Sequence, residues 1–182
     1  MDGRHVPMTM GELCWHALEL KRYAESQWTE YAKRLRVLDE HGVAGALEDM
    51  VRDQSAEIAA LDALAGMRPA RELSPWEFVW HLSYLPEALE QRRRVLPMNG
   101  REALQLSLVS RRRAEKFYND VAASDAEGKV RDCAAELAGG ERWRIRRLEQ
   151  LLAEDELAQR QDMMRADARP ADPRREGLRR AG

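Results

Sequence analysis

The chain has 182 residues, of which 44% are apolar, enough for a packed core; a chain disordered over most of its length is excluded. Only 13 residues are Val, Ile or Thr, which excludes an extensive β-sheet and predicts an all-α fold. Lys and Arg total 30 against 32 Asp and Glu, and this near balance speaks against nucleic acid or a membrane surface as a partner.

The N-terminal arm, residues 1–9, is polar and contains glycine and proline, so it does not resemble a signal peptide. The sequence also lacks an apolar run of the roughly 18 residues that a membrane span requires. We therefore expect a cytoplasmic protein. The two cysteines, Cys14 and Cys133, are isolated in the sequence, which favours packed thiols over a zinc site or a disulfide framework.

Apolar residues recur at helical spacing from Met10 to Leu38 and again from Ala46 to Ala65. Between these stretches, Gly42 is expected to end the first helix as its C-cap. The pattern predicts an antiparallel helical hairpin over residues 10–65.

Residues 66–100 have a different character, because four prolines forbid one continuous helix. The segment is nevertheless rich in aromatic residues that are costly to leave in water. We expect it to form a helical crossover that covers the bundle and buries these side chains: Trp76, Phe78, Trp80 and Tyr84.

Helical periodicity resumes from Arg101 to Ser124 and from Val130 to Ala158, which predicts a second hairpin over residues 101–158. The two hairpins and the crossover make up a predicted bundle domain of residues 10–158. Residues 159–182 contain an excess of Arg and little to bury, so we expect a largely disordered basic tail.

The two hairpins are weakly similar to each other. At an offset of 87 residues, Gln54 and Glu57 match Glu141 and Arg144; at an offset of 90, Tyr23 matches Arg113. Each i,i+3 pair lies on one helix face, and neighbouring Leu and Ile residues direct that face inward. A rise of about 1.5 Å per residue places all of these positions near the middle of the bundle. With about 35 residues between the hairpins, the pattern predicts a four-helix bundle with one long crossover.

A family resemblance appears in the second hairpin. Ala103-Leu104, the run Arg113 to Tyr118, and Glu141 to Arg144 followed by Leu148 to Leu152 resemble a rubrerythrin-type ferritin-like protein. The first hairpin is similar but fainter. The resemblance implies a di-iron centre, held by one Glu on the first helix of each hairpin and a Glu-x-x-His on the second.

This sequence departs from that ligand pattern, because the lone-Glu positions hold Tyr23 and Arg113 and no Glu-x-x-His occurs. At the two positions where the family has Glu-x-x-His, this chain has Gln54 with Glu57 and Glu141 with Arg144. These six residues are the predicted vacated metal site, with no metal and no catalytic residue. Because a buried charge needs a partner, we expect Arg113 and Arg144 to pair with Glu141 and Glu57 in place of iron.

The leading functional hypothesis is a ferritin-like protein that has lost its di-iron ligands and serves as a non-catalytic binding or structural module without a cofactor. We expect a homodimer and a protein partner that the sequence does not identify. The alternative is a ferritin-like oxidoreductase or iron-handling protein that uses Glu57, Glu141, Tyr23 or the displaced Glu25 and Glu115. A third possibility is a helical adaptor that lacks the crossover topology.

Overall fold

The computed structural model describes residues 9–67, 97 and 99–167, and within these ranges it contains four helices and no strand. The helices are α1 (Met10–Val37), α2 (His41–Met67), α3 (Gly100–Ala122) and α4 (Gly128–Asp167). Helix α1 packs along α2, and α3 along α4. The prediction of an all-α bundle is confirmed.

Side-chain caps set the starts of α1 and α3. At α1, the Glu12 amide donates to Thr9 Oγ1 and the Thr9 amide donates to the Glu12 carboxylate, each at 3.2 Å. At α3, Asn99 Oδ1 accepts a 2.8 Å bond from the Glu102 amide. These bonds satisfy amides that have no partner inside a helix, which explains why the chain enters both helices at these residues.

The turn between α1 and α2 is tighter than the sequence predicted. Gly42 is not the C-cap of α1, because it lies inside α2; the cap is Leu38. Asp39 adopts the left-handed conformation (φ 62°) that glycine was expected to supply. Aspartate tolerates this conformation better than most residues, so α2 can begin at His41 rather than Ala46.

The starts of α2 and α3 lie side by side, which defines the topology. A Cβ built on Gly100 would stand 2.8 Å from Val43 Cγ2. At the opposite end, Leu61 packs in one cluster with Val121. Helices α2 and α3 are therefore parallel, and the end of α2 lies about 36 Å from the start of α3 at 1.5 Å per residue. The segment between these helices must cover this distance, as a long crossover requires; the predicted helical form of the crossover concerns residues 68–96, which lie outside the described ranges.

Two helix ends extend beyond their predicted limits. Helix α2 continues to Met67, and α4 continues past Ala158 to Asp167, so the first residues of the predicted tail are helical. The crossover aromatics, residues 1–8 and residues 168–182 lie outside the described residues. No helix in the described part of the chain is long and apolar enough to cross a membrane.

The apolar core is divided into two clusters. One lies near the α3–α4 turn and includes Leu13, Ala17, Leu61, Val121 and Val130. The other lies near the α1–α2 turn and includes Trp28, Leu35, Leu47, Leu104 and Leu148. Polar side chains from all four helices occupy the level between the two clusters.

The close approach of α2 and α3 predicts opposite effects for two glycine substitutions. Gly100→Ala should lower the free energy of unfolding by about 1–3 kcal/mol, because its Cβ would press on Val43. Gly45→Ala is the matched control: no described atom would lie within 4 Å of its Cβ, so it should gain about 0.5–1 kcal/mol from helix propensity. Urea unfolding of both variants measures the difference, and equal effects would contradict the parallel packing.

Candidate functional site: a buried polar layer

Six polar side chains meet at mid-bundle between the two apolar clusters, and we call them the polar layer. Helices α1 and α3 each contribute one residue, and α2 and α4 each contribute an i,i+3 pair. The members are Lys21, Gln54, Glu57, Arg111, Glu141 and Arg144. Five of them are at most 3% exposed, and only Glu57 reaches solvent.

Glu141 is the centre of the layer and is fully buried. Its Oε2 accepts a 3.1 Å hydrogen bond from Arg111 Nη1. Its Oε1 lies 3.6 Å from both Lys21 Nζ and Arg144 Nη1, which is ion-pair rather than hydrogen-bond distance. One carboxylate therefore contacts cationic side chains from three different helices.

Glu57 is the second carboxylate, and its side chain is 45% exposed. Lys21 Nζ donates to its Oε2 at 2.6 Å, and Arg144 Nη2 donates to its Oε1. Burial alone would raise the pKa of Glu57, but the hydrogen bond and charge of Lys21, together with Arg144, outweigh burial and lower it below the ordinary 4.5.

Arg111 is held by one aromatic ring as well as by Glu141. Its guanidinium carbon lies 5.1 Å from the centre of the Trp28 ring, a cation–π contact. Its Nε and Nη2 atoms make no hydrogen bond among the described residues. The Tyr118 hydroxyl is also without a hydrogen-bond partner there, and burial, followed by the charge of Glu141, raises the pKa of Tyr118 well above 10.0.

Gln54 joins the layer to the backbone of α1. Its Nε2 donates a 2.6 Å bond to the Lys21 carbonyl, and the side chain is fully buried. This bond fixes α2 against α1 at the level of the charged groups without adding charge.

The layer carries more positive than negative charge. Among the described residues, Lys21, Arg111 and Arg144 face only Glu57 and Glu141. Tyr118, with its raised pKa, is neutral at pH 7 and does not alter this balance. The interior therefore has a net charge of +1 when all five groups are ionised.

The structure places four of the six predicted site residues together: Gln54, Glu57, Glu141 and Arg144. The other two expectations require correction, because Arg111 rather than Arg113 donates to Glu141, and Lys21 rather than Tyr23 enters the interior from α1. Tyr23 and Arg113 are only partly buried, and Tyr23 accepts a 2.7 Å bond from Gln27.

The offset of 90 residues between the two hairpins persists, since Lys21 and Arg111 are also 90 positions apart. The error was a shift of two residues, which turns a helix by about 200°. A signal for the correct face was present in the apolar repeat: Ala17, Ala24 and Trp28 lie on the same side of α1 as Lys21, and Leu104, Ala114 and Tyr118 on the same side of α3 as Arg111.

An open cavity of about 270 Å³ adjoins the layer between α1, α2 and α4. Lys21 and Glu57 line it at one side, and Gly140 lines it on α4. A Cβ on Gly140 would stand 3.3 Å from Arg144 Nη1, so glycine leaves room for the guanidinium. Glycine inside a helix costs about 1 kcal/mol relative to alanine, and α4 carries Gly139 and Gly140 in succession here.

The donor set does not suit a metal ion. Within the described ranges, no group of three or more His, Cys, Asp or Glu side chains is placed to hold one. The layer supplies two carboxylates, and both are engaged by ammonium or guanidinium groups that would repel a cation.

Comparison with known proteins bears on the fold. The chain is similar to the crystal structure, at 2.00 Å resolution, of an uncharacterized conserved protein from Magnetospirillum magnetotacticum MS-1, with a TM-score of 0.68 and 21% identity; the match covers 80% of this chain and 95% of that one. No family model matches the sequence. No curated protein matches it either. At this identity, the likeness establishes a shared helical-bundle fold.

The position of Glu141 predicts a large cost for neutralising it. Glu141→Gln would leave Arg111 and Arg144 buried without their common carboxylate and should lower the free energy of unfolding by about 3–5 kcal/mol. Glu149→Gln is the matched control, because the Arg112–Glu149 pair joins the same two helices on their exposed side at 2.8 Å. That control should cost under about 1 kcal/mol.

A double-mutant cycle of Glu141→Gln with Arg111→Met measures the interaction energy between these two side chains. We expect the double variant to be more stable than the sum of the two single losses predicts, since Glu141→Gln leaves Arg111 without a carboxylate and Arg111→Met removes the hydrogen bond that Glu141 accepts. Additive losses in urea unfolding would contradict the buried ion pair.

The lowered pKa of Glu57 predicts a pH-dependent contribution to stability. Its ionised form stabilises the fold above the ordinary pKa of 4.5, and this contribution is lost as pH falls through the lower folded value. The stability gap between the natural chain and Glu57→Gln should therefore shrink below about pH 4.5. Urea unfolding of both proteins from pH 7 to pH 3.5 measures this stability difference. A difference that widens on acidification would exclude the role of Glu57.

Proposed function

We propose that the chain is a ferritin-like protein of the rubrerythrin type whose metal-site positions now hold an ion-pair layer. On this proposal the protein is a non-catalytic binding or structural module. The observation that carries it is the composition of the layer: three cationic side chains around two carboxylates at the level where the resemblance implies two iron ions.

The arrangement of the layer supports the assignment of positions. The resemblance implies one ligand on each of α1 and α3 and an i,i+3 pair on each of α2 and α4. The layer has this same distribution, with Lys21 and Arg111 as the single residues. Gln54 with Glu57 and Glu141 with Arg144 are the pairs. The parallel course of α2 and α3 supports the same fold and argues against an adaptor without a crossover.

The charges explain how the fold tolerates the loss of iron. Two metal ions would neutralise a cluster of carboxylates; here lysine and arginine side chains supply positive charge at the same level. Arginine suits this role because its planar group can face two carboxylates at once: Arg144 donates to Glu57 and lies at ion-pair distance from Glu141.

The alternative, an oxidoreductase with displaced ligands, has weaker support. Glu25 accepts a 2.5 Å bond from the Ser55 hydroxyl on an exposed face. Glu115 lies 3.7 Å from Arg142, away from the layer. Neither carboxylate joins Glu57 or Glu141 in the described contacts, so the set proposed for the alternative is not assembled.

A homodimer is part of this proposal. Trp28 lies in the core, whereas Trp143 is 51% exposed on α4 and is available to a second copy. Light scattering after size exclusion tests this point. Trp143→Ala, with the core residue Trp28 kept as it is, should shift the protein from dimer towards monomer. A monomeric natural chain would contradict it.

Iron titration tests the loss of the metal site. The purified full chain, titrated anaerobically with ferrous iron, should bind no stoichiometric metal. A variant restoring the implied ligand set is the positive control: Lys21→Glu, Gln54→Glu, Glu57→His, Arg111→Glu and Arg144→His, with Glu141 retained. We expect this variant to bind iron. Stoichiometric iron on the natural chain would overturn the proposal and favour the oxidoreductase.

A further inference from the structure

The cavity beside the polar layer combines a charged floor with apolar walls. Lys21 and Glu57 lie at the charged side, and Ala60, Leu61 and Leu137 provide the apolar lining. Ala60 and Glu136 are exposed, so the cavity opens to solvent on the side of α2 and α4. Its volume of about 270 Å³ lies just below the roughly 300 Å³ at which pockets for drug-sized ligands begin, so it limits a ligand to a few non-hydrogen atoms.

Two cations already hold the one carboxylate of this floor: Lys21, which lines the cavity, and Arg144, which lies behind Glu57 and Gly140. Glu57 binds Lys21 through Oε2 and Arg144 through Oε1. Lys21 is 1% exposed and Arg144 3% exposed, whereas the Glu57 side chain is 45% exposed. The cations are therefore fixed by burial, and Glu57 is the partner that can leave towards solvent.

We infer that the cavity binds a small aliphatic carboxylate, whose head group displaces Glu57 from Lys21 and Arg144 and whose chain lies against Ala60, Leu61 and Leu137. The exchange replaces one carboxylate by another, so the layer gains no additional buried charge. This inference rests on the proposed role as a non-catalytic binding module and identifies the chemical class of its ligand.

The remaining lining residues are compatible with an anion. The Cys133 thiol stays neutral at pH 7, because burial, with smaller effects of Cys14 and Glu136, raises its pKa. Glu136 is exposed at the opening, where water screens its charge. The net charge of +1 in the layer favours an anionic ligand over a cationic or neutral one.

The first experiment measures which chemistry the cavity prefers. The full chain is titrated calorimetrically with sodium acetate, butyrate and hexanoate, and with uncharged butyramide. Butyrate should bind about tenfold more tightly than acetate, because two more methylenes are buried. Butyramide should bind at least about tenfold more weakly than butyrate, since it lacks the charge that pairs with the two cations. Equal binding of butyrate and butyramide would overturn the inference.

The second experiment tests the displacement of Glu57. Glu57→Ala removes the internal competitor and should tighten butyrate binding about tenfold, because the open site is then always available. The matched control is Glu48→Ala, another half-exposed carboxylate of α2, which pairs with Arg36 at 2.7 Å far from the cavity and should leave affinity unchanged. A structural role for Glu57 alone would give weaker binding in Glu57→Ala, the opposite result.

The third experiment locates the ligand without disturbing the buried charges. Ala60→Phe places a ring in the cavity from an exposed position and should weaken butyrate binding at least about tenfold. Ala59→Phe, the exposed neighbour that does not line the cavity, should bind as the natural chain does. Equal affinities in the two variants would place any bound carboxylate elsewhere and reject the site.

The two proposals fail in different ways. Stoichiometric iron in the natural chain overturns the proposed function. A chain that binds neither iron nor butyrate, including as Glu57→Ala, overturns the inferred ligand and leaves the loss of the metal site in place.

Discussion

The buried carboxylate of Glu141 is the constraint around which the middle of the bundle is organised. A fully buried anion is tolerated only with partners, and this one contacts cations from α1, α3 and its own helix. Burial is the main cause of the raised pKa of Tyr118, and the negative charge of Glu141 raises that pKa further. Removing its charge would alter every other ionised side chain of the layer, which makes the layer a unit rather than a set of separate pairs.

The layer also specifies how the hairpins fit together. Apolar clusters on both sides bury side chains without strong directional preference. The ion pairs add direction, because Arg111 on α3 and Lys21 on α1 must both reach a carboxylate on α4. Arg144 of the second hairpin further contacts Glu57 of the first. A register shift of one helix would strand charges at considerable cost, so the polar layer favours one alignment of the two hairpins.

One edge of this unit is accessible. Glu57 combines a lowered pKa, two charged partners and an exposed side chain, and it borders the cavity that Gly140 of α4 also lines. Glycine at position 140 leaves room for the Arg144 guanidinium and also keeps this edge open, although glycine weakens the helix. The opening beside fixed cations is the feature that links the architecture of the interior to binding.

The sequence by itself determined the all-α class, the two hairpins and four of the six layer residues. Helical periodicity and the repeat encode these features locally. The turn at Asp39 and the face of α1 and α3 were decided by tertiary structure. Arg111, Arg112 and Arg113 are consecutive and chemically identical, so composition does not distinguish which one is buried. The apolar repeat of α3 favours the face of Arg111, and the positions of Glu141 and Trp28 decide the choice, because a buried guanidinium requires both a carboxylate and a packing surface.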